Sequence, residues 1–488
     1  MESKRILAFD FGASSGRAMI AELKDGKIEI KEIHRFSNDP VLVGKMLSWD
    51  VLRLFHEIKQ GIVLAVQDGG FDSIAIDTWG VDFGLINKHG ELIGNPVHYR
   101  DARTEGIPEE VFSVVPEEEI YSIAGTQKMN FNTLYQLYYL TKYRPEVLAQ
   151  AETALLMPDL FAYMLTGEKR LEYTNASTTN LIDAKKREIS TELLDKLGIR
   201  KDLFPKMIHP GEVYGNLLPE ICEELHCESV PVIAAPTHDT ASAVAAVPTK
   251  EKDYAYISCG TWSLLGTVND EPITTPESCT VGFTNEGAHD GKIRYLRNII
   301  GLWLIQQSRG EWKRQGLNVS FDEMETSARA AEPFKCFINP DAPVFNPPGN
   351  MPKRVVDYCR ETGQYVPNGM GEILRCIYQS LAMKYRMAIE ELEAISGKKF
   401  EKIYMIGGGI KDELLCQMTA DACGKTVVAG PVEATVTGNI VVQMLSFGMI
   451  KDETEAKDVI INSTDIKTFT PNGTGEWAEK FAEFKKYQ

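Results

Sequence analysis

Three groups of residues in this chain have the types and spacing to handle phosphates, hydroxyls and protons. The first is Asp10-Phe11-Gly12-Ala13-Ser14-Ser15-Gly16-Arg17. Small residues in a tight loop let backbone amides and hydroxyls close around phosphate oxygens. Asp10 falls where an apolar run ends, a position from which a carboxylate can hold Mg²⁺ directly or through water. The same residues also suit an ordinary tight hairpin. Gly12-Ala13-Ser14-Ser15-Gly16 matches Gly-x-Ser-x-Gly, but a nucleophile elbow needs a helix after the serine. Ala18-Met19-Ile20-Ala21 reads as a strand, so a serine hydrolase is set aside.

The second group lies in two acidic stretches. Ile76-Asp77-Thr78-Trp79-Gly80-Val81-Asp82-Phe83 combines carboxylates, an indole and a glycine at a strand end. A sugar asks for that mixture, because hydroxyls need acceptors and C–H faces need an aromatic wall. Trp79 suits a core position equally well. Thr237-His238-Asp239-Thr240 precedes small apolar residues, 241–247, which read as a packed helix. A carboxylate at that helix start, beside a histidine, can take a proton from a substrate hydroxyl. An N-cap aspartate would look the same.

The third group lies in the second half. Ser258-Cys259-Gly260-Thr261-Trp262 offers the Thr261 hydroxyl and loop amides to terminal phosphates, and Gly407-Gly408-Gly409 lets a flat base or a phosphate approach the backbone. Neither Gly-x-x-x-x-Gly-Lys-Ser/Thr nor Gly-x-Gly-x-x-Gly occurs, so P-loop and Rossmann readings lose support.

These groups need strands and helices to hold them. Residues 6–9 and 17–23 read as strands flanking the first loop, and 27–33 alternates as a third strand. A helix is expected over about 49–66, with Val51, Phe55, Ile58, Ile62 and Ala65 on one face, then a buried strand over 73–76 ending at Asp77. The second half repeats the pattern: strands over 254–258 and 262–266 around a small-residue turn, a long helix over 371–395, a strand over 402–406, and a helix over 412–422 after the three glycines. We read an internal duplication in an α/β chain, with residues 1–247 carrying the sugar site and first phosphate loop, residues 248–488 the nucleotide site, and the ligands in the cleft between them.

Bulk properties agree. A chain of 488 residues is long enough for two domains. The net charge of −17 argues against nucleic-acid or anionic-membrane partners and leaves small molecules. No apolar run approaches a membrane span, and the opening apolar run is too short for a signal peptide, so a cytoplasmic protein is expected. Nine dispersed cysteines without Cys-x-x-Cys read as reduced thiols, with Cys359 and Cys376 able in principle to pair, and eight histidines without His-x-x-x-His give no zinc site. The C-terminal 476–488 reads as a charged amphipathic helix with a solvated face.

The ordered motifs resemble a known family. The stretches are DFGASSGR (10–17), IDTWGVDF (76–83), YRDART (99–104), LLMPD (155–159), YTNAST (173–178), HDTASAV (238–244), SCGTWSL (258–264), RNIIGLWLIQ (297–306), IGGG (406–409), ADACG (420–424) and AGPVEAT (429–435). Across essentially the whole chain they are similar to the FGGY carbohydrate kinases. The resemblance implies two duplicated ribonuclease H-like domains of the actin-like ATPase fold, a catalytic cleft, ATP as co-substrate and Mg²⁺. Within the family it points to an acceptor such as L-rhamnulose, phosphorylated on its 1-hydroxyl, with L-fuculose as the alternative. It implies that Ala13, Ser14, Ser15, Gly16, Arg17, Thr261, Gln306 and Gly408 bind nucleotide. Gly80, His238, Asp239, Thr240 and Asn298 would contact the ketose, Asp239 would accept the proton, and Asp10 would organise the metal. One departure stands out: where the family often carries Lys and, three residues on, Trp, this chain has Gln136 and Tyr139. A sugar-independent ATPase on the same fold is the reading from a different class, and it leaves His238 and Asp239 without a purpose.

Overall fold

Strand Arg5–Phe11 is apolar on both faces because both faces are covered. Leu7, Phe9 and Phe11 pack into one core with Leu54, Ile58 and Ile62 of helix Val51–Gln67. Ile6 and Ala8 pack on the other side with Val436, Ile440 and Met444 of helix Ala434–Ser446. The computed structural model describes residues 4–488, and these fall into two units. The first comprises 4–250, 268–295 and 434–464; the second comprises 251–267, 296–433 and 465–488. The chain thus changes unit after Lys250, and two later stretches return to the first unit.

The sheet of the first unit has the strand order Val213–Asn216, Pro231–Ile233, Ser73–Thr78, Arg5–Phe11, Ser15–Lys24, Lys27–Ser37. The last three are antiparallel neighbours, as the alternation of the opening sequence requires. Ser73–Thr78 runs parallel to Arg5–Phe11, with Asp77 opposite Asp10. Helix Val51–Gln67 buries Val51, Ile58, Ile62 and Ala65 as expected; Leu54 joins them, and Phe55 packs half-buried against the same core.

In the second unit, strands Trp262–Asn269, Ala255–Cys259, Lys402–Ile406, Thr426–Ala429 and Lys467–Phe469 are consecutive neighbours. Ala255–Cys259 is antiparallel to Trp262–Asn269 and parallel to Lys402–Ile406. Each unit therefore has a hairpin whose first strand takes a parallel neighbour, the duplication expected from the sequence. The long helix spans Gly369–Ser396, and Asp412 caps helix Glu413–Cys423 by accepting from Leu415 N. The C-terminal helix Thr474–Phe484 is more than a solvated face: Trp477, Phe481 and Phe484 are buried, with Trp477 edge-on to Phe334. All nine cysteines are free thiols, yet three that are scattered in sequence meet here, with the sulfurs of Cys336, Cys359 and Cys376 within 4.8 Å of one another. Among the described residues no helix is long and apolar enough to cross a membrane.

Two packing features of the first unit have measurable consequences. Gly438 lies where helix Ala434–Ser446 crosses helix Asp239–Ala245, and a Cβ there would sit 1.8 Å from Ser242 O. The other feature is the turn Trp79-Gly80-Val81-Asp82. Val81 has φ 67°, a left-handed conformation that β-branched residues rarely adopt. The buried Asp82 Oδ2 accepts from Trp49 Nε1 at 2.7 Å, Trp79 Nε1 at 3.1 Å and Tyr99 N at 3.0 Å, and Oδ1 accepts from Gln136 Nε2 at 3.1 Å. Gln136 Oε1 in turn accepts from Arg103 Nη2 at 2.6 Å. Trp79 stacks against Trp49 with ring centroids 4.0 Å apart, so it is a core residue and not an open sugar platform.

Gly438→Ala should cost about 3 kcal/mol or more, because the clash is with backbone that cannot rotate away. A lowered urea midpoint relative to wild type checks this. Burial raises the Asp82 carboxyl to about 6, with its hydrogen bonds opposing the rise. The folded state then binds that proton more tightly than the unfolded chain. The contribution of this group to stability should fall by up to about 3 kcal/mol as pH rises from about 4 to about 6. Asp82→Asn should lack that component, seen as a wild-type minus variant difference in unfolding free energy that changes over this range.

Candidate active site

Parallel register puts the first two carboxylates of the site together. Residues 6, 8 and 10 share one face of their strand, and 73, 75 and 77 share the same face of the next, so Asp10 and Asp77 are neighbours facing helix Ala434–Ser446. Arg17 Nη2 donates to Asp10 Oδ2 at 2.6 Å, and Asn439 Nδ2 donates to Asp77 Oδ2 at 2.6 Å. Ser73 Oγ donates to Gln443 Oε1 at 2.6 Å on the same face. Asp77 Oδ1 is buried without a hydrogen-bond partner. Burial, and then the charge of Asp10, hold the Asp77 carboxyl well above the usual carboxylate range, with Asp239 adding to the rise. Asp10 and Asp77, two adjoining carboxylates with one acceptor that no donor reaches, are oxygen ligands of the kind a hard divalent cation takes.

Asp239 begins helix Asp239–Ala245, whose N-cap is His238 rather than the aspartate. Its Oδ1 accepts from Thr240 N at 2.6 Å and lies 3.4 Å from His238 Nε2. Its side chain keeps 30% exposure, the property a base needs to meet a substrate. Burial raises its pKa, His238 lowers it, and Asp10 raises it again. Behind His238, the fully buried Arg294 Nη2 lies 3.1 Å from His238 Nδ1 and 3.0 Å from Glu286 Oε2. His238 Nδ1 thus faces both the Arg294 guanidinium and, at 3.4 Å, Glu286 Oε2, while Nε2 faces Asp239.

The approach to Asp239 is fixed by another buried acid. Glu172 accepts from Thr237 N at 3.2 Å, Thr237 Oγ1 at 2.5 Å, Thr174 N at 2.8 Å, Thr174 Oγ1 at 2.6 Å and Asn175 N at 3.1 Å. Asp159 Oδ1 accepts from Glu172 N at 3.0 Å and from Tyr214 Oη at 2.6 Å. Gly80 is held beside this loop. Thr78 N donates to Thr237 O at 2.9 Å, and Asn175 Nδ2 reaches both Trp79 O and Thr237 O at 3.3 Å. Any Cβ at Gly80 would lie 2.8 Å from Thr178 Oγ1, and Gly80 is the one residue between 73 and 86 that is not buried.

The first loop is a hairpin tip. Ala13, Ser14 and Ser15 are accessible, closed by Gly12 N donating to Ser15 O at 2.9 Å and Asn38 N donating to Ser14 O at 3.0 Å. Gly16 is buried, and a Cβ there would meet the Phe36 ring at 2.3 Å, so packing dictates that glycine. The first unit thus brings together Asp10, Ala13 to Arg17, Gly80, His238, Asp239 and Thr240. In the second unit, Thr261 Oγ1 lies 3.3 Å from Gln306 Oε1. Gly301 N and Trp303 N donate to Thr261 O at 3.1 and 3.2 Å. Cβ atoms at Gly407 and Gly409 would crowd Cys259 O at 3.2 and 2.6 Å, while Gly408 is exposed with open space above its Cα. Asn298 lies on strand Ile293–Ile300, in the part that belongs to this second unit.

Sequence reasoning missed Asp77 as a site residue, although it had placed it at a strand end. It also missed Glu172, Glu286, Arg294 and Asn439. YTNAST had marked the neighbourhood of Glu172, but nothing local distinguishes Asn439, which is 362 residues from Asp77.

Known proteins similar to this chain point to one family. Models of the N-terminal and C-terminal domains of the FGGY family of carbohydrate kinases match residues 5–246 and 255–447. A rhamnulokinase of Bacteroides thetaiotaomicron is 41% identical over 483 residues, 99% of each chain. One of Oceanobacillus iheyensis is 42% identical over 95% of this chain and 97% of its own. Among solved structures, a xylulose kinase of Lactobacillus acidophilus superposes with TM-score 0.82 at 17% identity, covering 99% of this chain and 97% of that one. Plasmodium falciparum glycerol kinase with ADP gives 0.79 at 15%, covering 99% and 97%; these two show the shared fold. The chain belongs to the FGGY family of carbohydrate kinases.

Proposed function

We propose that this kinase transfers the γ-phosphoryl group of ATP to the 1-hydroxyl of L-rhamnulose, giving ADP and L-rhamnulose 1-phosphate. The observation that carries the substrate is the 41% identity, over 99% of both chains, to a rhamnulokinase. A kinase for a related ketose such as L-fuculose is the alternative, and the relatives favour L-rhamnulose. We assign the sugar and the first phosphate loop to residues 1–247 and the nucleotide to 248–488, a division that the family matches at 5–246 and 255–447 support. A reaction that consumes ATP supports a cytoplasmic location for the enzyme.

In this reading Ala13, Ser14, Ser15, Gly16 and Arg17, with Thr261, Gln306 and Gly408, hold the nucleotide. The accessible hairpin tip and the open side of Gly408 support that role. Gly80, His238, Asp239, Thr240 and Asn298 hold the ketose. Asp10 and Asp77 hold Mg²⁺, which when bound neutralises phosphate charge. Phosphoryl transfer passes through a loose transition state, so the protein contributes mainly alignment and charge. Asp239 orients the 1-hydroxyl and takes its proton as the new oxygen–phosphorus bond forms and the bond to the ADP oxygen breaks. His238 Nε2 faces the same carboxylate and lowers its pKa, opposing the rise from burial.

Asp239→Asn should lower kcat by about 10²- to 10⁴-fold while nucleotide affinity, read by calorimetry, stays close to wild type. Turnover within a few-fold of wild type would remove Asp239 as the base. Coupled ADP release against L-rhamnulose, L-fuculose, D-xylulose, L-ribulose, D-fructose and glycerol should give L-rhamnulose a kcat/KM at least about tenfold above the rest. Preference for another ketose would change the substrate alone, and ADP release without any sugar would favour an ATPase.

A further inference from the structure

Gln136 is a departure from the family pattern that the proposed chemistry leaves unused, and it is one of four donors to the buried acid Asp82. We infer that Asp82 is a positioning residue for the ketose: with Gln136 and Arg103 it pins a strained turn so that the backbone of Gly80 faces the sugar. This rests on the assignment of Gly80 to the ketose.

Four features of the turn support the inference. Val81 at φ 67° is a costly conformation for a β-branched residue, of the kind retained where surrounding contacts over-determine it. Those contacts are present. Thr178 Oγ1 accepts from Val81 N at 3.2 Å, Val81 O accepts from Thr133 Oγ1 at 2.7 Å, and the carboxylate of Asp82 closes the turn from the other side. That carboxylate accepts four donors from four separate parts of the chain: Trp49, Trp79, Tyr99 and Gln136. The charge of Arg103 acts on Asp82, and Arg103 reaches it through Gln136. The only residue of the turn left accessible is Gly80, and its lack of a side chain follows from the Thr178 contact. Strain is thus concentrated at Val81, and the exposed product of that strain is the Gly80 backbone.

The network is directional. In Asp82→Asn the remaining oxygen can keep the Trp49, Trp79 and Tyr99 donors, but the new amide meets the Gln136 amide, whose oxygen Arg103 already holds and whose nitrogen also donates to Phe131 O at 2.9 Å. Asp82→Asn should therefore raise the ketose KM by about tenfold, with kcat and the ATP KM changed less than about threefold. A folded Asp82→Asn enzyme with wild-type ketose KM would overturn the inference. So would equal loss in both KM values and kcat, the outcome expected if Asp82 only stabilises the fold. If Asp82→Asn does not fold, Val81→Gly serves instead: it relaxes the turn and keeps both backbone hydrogen bonds of residue 81 while giving up a buried isopropyl group, and should raise the ketose KM with kcat and the ATP KM changed less than about threefold. An unchanged KM there would also overturn the inference. All variants are assayed with whichever ketose the wild-type enzyme prefers, so a wrong sugar in the assigned reaction shows in the wild type, separately from the role of Asp82.

Discussion

The register between two parallel strands is the constraint on which the rest of the site depends. It sets Asp10 opposite Asp77 on one buried face. Two carboxylates that close repel, and burial adds to the cost of ionising them. The fold offsets this with Arg17 on Asp10 and Asn439 on Asp77. Asn439 comes from a helix near the end of the chain, and the same helix carries Gly438 against the backbone of the helix that Asp239 begins. One helix therefore both satisfies the acid pair and sets the position of the proposed base. Asp77 keeps one buried oxygen that no donor reaches, and burial and Asp10 together hold its carboxyl well above the usual carboxylate range.

A second layer of buried polar groups holds the loops. Glu172 gathers five donors from residues 174, 175 and 237, and Asp159 orders the backbone of Glu172 in turn. Arg294 and Glu286 do the same for His238. Such groups are costly to bury unless fully paired, and once paired they leave a loop few alternatives. That explains why stretches such as LLMPD and YTNAST, which carry none of the proposed chemistry, are specific in sequence. The second unit reaches a similar end with less charge: its hairpin turn is ordered by backbone bonds to Gly260 and Thr261, and Gly407 and Gly409 allow the following loop to approach Cys259.

Much of this was legible in the sequence, for physical reasons that apply to particular elements. Strand 5–11 announces itself as an apolar run ending in an aspartate, and the small residues after it can only turn. Helix Val51–Gln67 shows its stripe at helical spacing, with Leu54 added to it and Phe55 at its half-buried edge. Asp239 is marked by its place before a run of small residues, which must form a closely packed helix. Trp79 was ambiguous, and only its contacts with Trp49 and Asp82 make it a core residue. The C-terminal helix looked solvated because its charges dominate the count, whereas three aromatic residues on one stripe suffice to dock it.

By itself the sequence determined the α/β class, the repeated hairpins, the family and the identity of the proposed base, because each rests on local spacing or on ordered motifs. Only the tertiary structure decided which carboxylates are neighbours, which histidine nitrogen faces Asp239, and that Asn439, Glu286 and Arg294 belong to the site. Those depend on strand register and on contacts between residues tens to hundreds of positions apart, and a hydrogen bond across such a separation leaves no periodicity in the chain that makes it.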